Sequence, residues 1–462
     1  MYTPHTEKDV KEMLAAIGVP SLERLVEVPE PVRLRERLDI VPALSEAGIV
    51  SRFEHFAKKN TGASYVSFLG AGAYRHYVPP AIGALAMRGE FLTAYTPYQA
   101  EVSQGYLQAI YEWQTYICLL TGLDIANASV YDGATALAEA AIMALNANGR
   151  KRVLVSHAIH PMYRSVLKTY CDGLDISIEE LPITDEGVTD FNELRERLQS
   201  KQYACLAVQS PNFFGNIDTP DDTAARVCRE TGTVLIGVVA EALSLAALTP
   251  PAQWGAEIVA GEAQSFGVPV AYGGPYVGFI AANKDHLRRI PGRLVGKTVD
   301  VHGNEAFVLT LQAREQHIRR ERATSNICTN QAHCALIATM YLELLGKTGL
   351  HDVASANLER SRQLATRVSS LKGCSLEFAA PFFNEIVVNV HRPASPVLAQ
   401  LQQRGVLGGV DLGRYYPEYS DCILMAATEL TTSRDIEVLC SALEDALRVT
   451  SVEKAENDTV SV

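Results

Sequence analysis

The chain has 462 residues and no uninterrupted apolar run approaching the roughly 20 needed to span a bilayer, so no membrane helix is expected. Its N-terminus, MYTPHTEKDVKEM, is charged and has no apolar centre, which argues against a signal peptide. Basic residues are in deficit. Lys and Arg number 41 against 53 Asp and Glu, and the net charge of −12 argues against a nucleic-acid surface while leaving a local electropositive pocket open. Nine cysteines occur without a close CxxC pair, the usage of reduced thiols in a cytoplasmic protein. Cys328, His333 and Cys334 come nearest to a metal cluster, but they leave a tetrahedral site one ligand short, so no metal is expected. Internal repeats, low-complexity segments and flexible linkers are also missing. One further absence carries chemical weight: no lysine occurs between Lys201 and Lys284.

An apolar fraction of 47% and a charged fraction of 20% describe a globular chain, and its length calls for two or three domains. Residues 1–65 read as a helical arm. Thr6 can cap a helix bearing Val10, Met13, Leu14 and Ile17, with Gly18 as its stop. Ser21 starts a shorter one that Pro29 and Pro31 close, and Ser51 a third that Asn60 and Gly62 stop. The apolar stripes of such an arm need the main body or a partner chain to cover them.

Residues 66–329 read as a large α/β domain. Two loops near its start, SFLGAGAYRHYVPP and TAYTPYQAEVSQG, hold a lone GxG (Gly70, Gly72) and four tyrosines, Tyr74, Tyr77, Tyr95 and Tyr98. Tyrosine suits both small-ligand pockets and loop anchoring, and both readings stay open. A helix from Ser103 to Thr121 carries Tyr106, Ile110, Trp113, Ile117 and Leu120 on one face. Asp132 then opens an alanine-rich helix through Gly133-Ala134-Thr135. Its bare N–H groups could bind an anion, although Asp132 at that mouth would repel a phosphate and is a good N-cap. From Arg152 onward apolar strands (152–156, 176–181, 203–209, 233–239) alternate with helices, the pattern of a mostly parallel sheet covered on both faces.

Sites in such sheets lie at the strand C-termini. His157 follows the first of these strands and Glu241 the fourth, where a pyridoxal enzyme wants an aspartate against the pyridine nitrogen. The stretch GAEIVAGEAQSFGVPVAYGGPYVGFIAA (Gly255 to Ala282) resembles the layout around the lysine that carries pyridoxal phosphate in the aminotransferase-like superfamily. Here the Ser265 region stands in that lysine's place, and serine cannot make the attachment. Lys284 and Lys297, in charged surroundings, are the remaining amines for a self-sufficient pyridoxal enzyme, and each would need burial to serve. Residues 299–311 read as a hairpin turning at His302-Gly303-Asn304. Arg314, Arg319, Arg320 and Arg322 follow as a basic cluster, either a solvated helix face or a loop that pairs with a partner's carboxylates. Residues 330–450 read as a smaller α+β domain, with helices at 330–346, 351–371, 395–404 and 433–448, and 451–462 as a disordered tail.

The strings TPYQAEVSQG, REQHIRRERATSNICTNQA, YGGPYVGF and ILMAATELTT resemble those of the glycine cleavage system P-protein (glycine decarboxylase) family, and in particular its first subunit in the split two-chain bacterial form. The similarity spans essentially the whole chain. It implies an aminotransferase-like large domain (pyridoxal-enzyme fold type I) with a smaller C-terminal domain and an N-terminal helical arm. It also implies a second subunit that carries pyridoxal phosphate, two copies of each chain, and no cofactor bound here. The complex would decarboxylate glycine and pass the aminomethyl group to the lipoyl arm of the H-protein. This chain would contribute no catalytic residue of its own. Tyr95, Tyr98, Gln99 and Glu101 would line the partner's site, and Arg319, Arg320, Arg322 and Asn326 would face the subunit interface. A purely structural pseudoenzyme is the other alternative.

Overall fold

Thr6 caps the first helix, Glu7–Ile17, in the structure, a computed structural model that describes residues 4–459 apart from 27, 35, 37 and 94, with side chains, Glu30 aside, as far as Arg448. The Thr6 hydroxyl accepts from the Asp9 amide while the Asp9 carboxylate accepts from the Thr6 amide, and Gly18 closes the helix in the left-handed region. Single 3₁₀ turns follow at Leu22–Leu25 and Glu30–Val32, then a helix at Glu46–Lys59. This last helix starts earlier than the expected Ser51. Ser45 Oγ accepts from the Gly48 amide and satisfies a donor of the first turn, which makes Ser45 the cap. Residues 1–63 form one unit and Ser64–Val462 another.

The second unit is built on a seven-stranded sheet in the order Ile125–Ala126, Gly278–Ala282, Ile258–Glu262, Val234–Val239, Tyr203–Gln209, Arg152–Ser156, Ser177–Leu181. From Ile258–Glu262 to Ser177–Leu181 all pairings are parallel, and Gly278–Ala282 runs antiparallel to both its neighbours. The strands 203–209, 234–239, 258–262 and 278–282 are buried at every position, which explains their mostly apolar sequence, broken only by Gln209 and Glu262 at two strand ends. Alternate residues feed two cores. Leu206, Leu235, Val259 and Phe279 pack with Trp113, Ile117 and Tyr341 on one face, while Ala207, Ile236, Ala260 and Ile280 pack with Leu137, Met143 and Leu167 on the other.

Leu294–Val299 and Glu305–Thr310 form an antiparallel hairpin that starts before the expected Val299, and the Asp300 carboxylate accepts from the His302 and Asn304 amides across its turn. The helical run Ala332–Ser369 is two helices meeting at a kink at Gly346 (φ +58°), in line with the two expected. It carries the chain to a four-stranded antiparallel sheet, Ser375–Leu376, Glu385–Asn389, Cys422–Ala426 and Val410–Asp411 in spatial order. Two differences from expectation concern helices. The helix expected from Lys284 is one 3₁₀ turn, Lys284–His286. The final helix, Ser433–Thr459, continues through most of the expected tail, whose last residues, 460–462, lie outside the described residues. No helix among the described residues is long and apolar enough to cross a membrane.

Candidate functional site

Three parallel strands deliver acidic or amide side chains to their C-terminal ends, and all are buried. Glu262 ends its strand and turns toward the helix Gly133–Asn148. Its Oε2 accepts from the Gly133 amide at 3.0 Å, and its Oε1 accepts from the amides of Val277 (2.8 Å) and Gln264 (3.1 Å). Asp132 Oδ1 accepts from the Thr135 amide at 2.7 Å, as the cap reading expects. Two carboxylates of the chain itself therefore occupy the donors of this helix mouth. Burial, with the nearby Asp132 charge, pushes the Glu262 carboxyl up to about 7 against the pull of its backbone donors.

Beside it, the Tyr163 hydroxyl presses on Gly133 so closely that a Cβ there would collide with it, and the Tyr163 ring stacks on His160 (centroids 4.9 Å apart). Phe213 meets His160 edge-on at 4.8 Å. Aromatic side chains thus pack against one another beside the helix mouth.

The segment 67–80 closes the remaining space. Tyr74, 3% exposed, donates its hydroxyl to Glu385 Oε2 at 2.7 Å, and the Ala71 amide donates to Glu385 Oε1 at 2.6 Å. Gln264 holds the Tyr74 backbone from both sides, accepting from its amide (2.9 Å) and donating to its carbonyl (3.0 Å). His76 bridges two carboxylates, with Nε2 3.2 Å from Glu241 and Nδ1 2.8 Å from Glu429. Burial pulls the His76 imidazolium down, but Glu241 and then Glu429 outweigh it and raise its pKa to about 9. Glu241 also accepts from the Leu243 amide and from Asn384 Nδ2.

Ser265 is 1% exposed in the turn after Glu262. The residues present do not fit pyridoxal phosphate. Ser265 offers no amine, and the carboxylates of Glu262 and Asp132 at the helix mouth would repel a phosphate there. Lys284 and Lys297 are both exposed, the latter paired with Glu305, so neither has the burial that would make it a useful amine. Among the described residues no group of three or more His, Cys, Asp or Glu is placed to hold a metal ion.

The candidate residues of the tyrosine loop lie elsewhere, and they divide. Tyr95 and Tyr98 are exposed and line a cleft of about 510 Å³ with Thr96, Ser103, Arg293 and Thr329. Gln99 and Glu101 are exposed on the adjoining turn and do not line it. Tyr77 is exposed and Tyr74 buried, so the four tyrosines serve different ends. Of the four clustered arginines, Arg314 turns inward and donates to the carbonyls of Ile290 and Gly292, while Arg319, Arg320 and Arg322 are exposed, as is Asn326. Sequence reading missed Glu262, Glu385, Glu429 and His76. The only available signal was a carboxylate ending an apolar strand, since their partners lie up to 353 positions away in the chain.

The sheet order and the paired sheets place the molecule among the aminotransferase-like α/β proteins. Alanine–glyoxylate aminotransferase from Nostoc shares that fold at 16% identity, with a TM-score of 0.57 over 91% of this chain and all of that one. The chain belongs to the glycine cleavage system P-protein family, whose model matches residues 1–443. It is 47% identical, over 97% of its length and 99% of the relative's, to a Brevibacillus brevis protein named probable glycine dehydrogenase (decarboxylating) subunit 1. A similarly named Geobacillus kaustophilus protein is 47% identical over 96% of this chain and 98% of its own length. A crystal structure of a glycine decarboxylase (P-protein) of the glycine cleavage system, in inhibitor-bound form, superposes with a TM-score of 0.88 and 42% identity, covering 96% of this chain and all of that one.

Proposed function

We propose that this chain is the cofactor-less subunit of a two-chain glycine dehydrogenase (decarboxylating) acting in the cytoplasm. The observation that carries the reading is the helix mouth at Gly133, where Glu262 and Asp132 hold the donors, together with Ser265 at the attachment position. The subunit numbering of its relatives supports a second chain. That second chain carries pyridoxal phosphate, which supplies the electron sink for glycine decarboxylation. Two copies of each chain make the complex, and the lipoyl arm of an H-protein accepts the aminomethyl group.

The part of this chain is to complete the partner's site. Tyr95 and Tyr98, exposed beside a cleft, present hydroxyls that orient glycine or the lipoyl sulfur, with Gln99 and Glu101 on the adjoining turn. The exposed Arg319, Arg320, Arg322 and Asn326 face the partner, where guanidinium forks suit carboxylates. Closure of the two chains excludes water from the reacting carbon.

The test is reconstitution. Glycine-dependent exchange of labelled bicarbonate is measured with this chain, with its partner, and with both in the presence of lipoyl H-protein. Exchange is expected only when both chains are present. Full exchange by the partner alone would reduce this chain to a bystander and overturn the reading.

A further inference from the structure

Arg293 is the one arginine of the tyrosine-lined cleft, and it is buried. It is 7% exposed, yet among the described residues no carboxylate lies within ion-pair distance of it. Its partners are neutral. Nη1 donates to Asn330 Oδ1 at 3.1 Å and Nη2 to the Cys328 carbonyl at 3.3 Å, while Nε has no partner. Arg164 and Arg367 each meet a glutamate at 2.6 and 2.7 Å, whereas Arg314 and Arg150, like Arg293, donate to neutral groups but do not line the cleft. A buried guanidinium without a counter-charge carries a large desolvation cost, and that cost falls when an anion joins it.

The guanidinium is also held in place. Asn330 Nδ2 donates to the Ala128 carbonyl (3.3 Å) and to Ser129 Oγ (3.0 Å), so its amide oxygen is fixed toward Arg293. The Tyr98 ring lies 5.8 Å from the guanidinium carbon, and the Tyr98 ring in turn sits 6.0 Å from His317. Hydroxyls of Thr96, Tyr98, Ser103 and Thr329 line the same cleft and supply further donors. Glu90 also lines it but is paired with Arg88 at 2.6 Å.

We infer that this cleft is a binding site for a small oxyanion, a carboxylate or phosphate group, received by the guanidinium of Arg293 and the surrounding hydroxyls. A guanidinium edge presents parallel N–H donors that match two oxygens of such a group. The cleft is the one proposed above to complete the partner's site, and the inference rests on that reading for its role, although every residue that would bind the anion belongs to this chain.

The test uses the full-length chain alone, in chloride buffer, with ¹³C-acetate and inorganic phosphate followed separately by ¹³C and ³¹P line broadening. Binding of either anion to the wild-type chain is expected, weakened about tenfold or more by Arg293→Gln and unaffected by Arg319→Gln on the exposed cluster. Tighter acetate assigns the site to carboxylates, and tighter phosphate to phosphate groups. No broadening by either anion, or equal broadening with Arg293→Gln, would overturn the inference. Should Arg293→Gln fail to fold, Arg293→Lys decides, since it keeps the charge but lacks the fork. Undiminished binding by that variant would contradict the assignment.

Discussion

His76 shows how a buried histidine is held by two carboxylates from distant parts of the chain. It lies between Glu241 and Glu429, and both carboxylates accept further bonds from backbone amides and amide side chains. Its folded pKa, raised from 6.5 to about 9, means that the imidazolium is favoured by folding. The resulting stability is fully present below about pH 6.5 and is lost as pH rises through about 9. Urea unfolding between about pH 7 and about pH 10 is therefore expected to show a falling free energy in the wild type and a flatter profile in His76→Gln. At neutral pH that variant leaves two buried carboxylates facing each other, at a cost of about 3–5 kcal/mol. Parallel profiles for the two proteins would refute the role given to the pair. Tyr98 makes a different residue-scale prediction. Tyr98→Phe keeps the ring beside Arg293 but removes the hydroxyl, so the rate of the reconstituted complex should fall while its assembly, read by sedimentation, stays intact. An unchanged rate would sink the tyrosine assignment.

At the scale of elements, the helix Gly133–Asn148 and its mouth carry the account. Gly133→Ala should cost about 1–3 kcal/mol, because its Cβ would strike the Tyr163 hydroxyl and crowd Glu262. Gly83→Ala, in a helix with open space around it, should be neutral or slightly stabilising. Chemical denaturation of both variants checks the contrast, and equal losses would contradict it. The same element shows what sequence can and cannot convey. Strands 152–156 and 203–209 were legible to the residue, because burial on both faces writes a mostly apolar run. Asp132 was legible as a cap because capping is local. Glu385 gripping Ala71 and Tyr74 was not, since that contact joins residues more than 300 positions apart and only the folded chain brings them together. Ser45 displaced Ser51 as a cap for a smaller reason: both are good caps, and the choice rested on which hydroxyl meets a free amide.

At the scale of the whole molecule, a seven-stranded and a four-stranded sheet carry the fold, with buried carboxylates and rings packed at the strand ends of the larger one. The missing lysine was readable from sequence, and so was the family. How those strand ends are packed was not, because tyrosine, histidine and glutamate in loops carry no periodic signal. The tyrosine loop drew notice in the sequence, yet Arg293 beside it in the cleft went unnoticed as an isolated arginine just before a strand. The central claim is that the cofactor belongs to a second chain. It is tested most directly by adding pyridoxal phosphate to this chain alone and to its mixture with the partner, reducing with borohydride, and mapping the modified lysine. The account predicts label only on the partner, with glycine-dependent exchange appearing only in the mixture. Label on Lys284 or Lys297, with exchange by this chain alone, would contradict it.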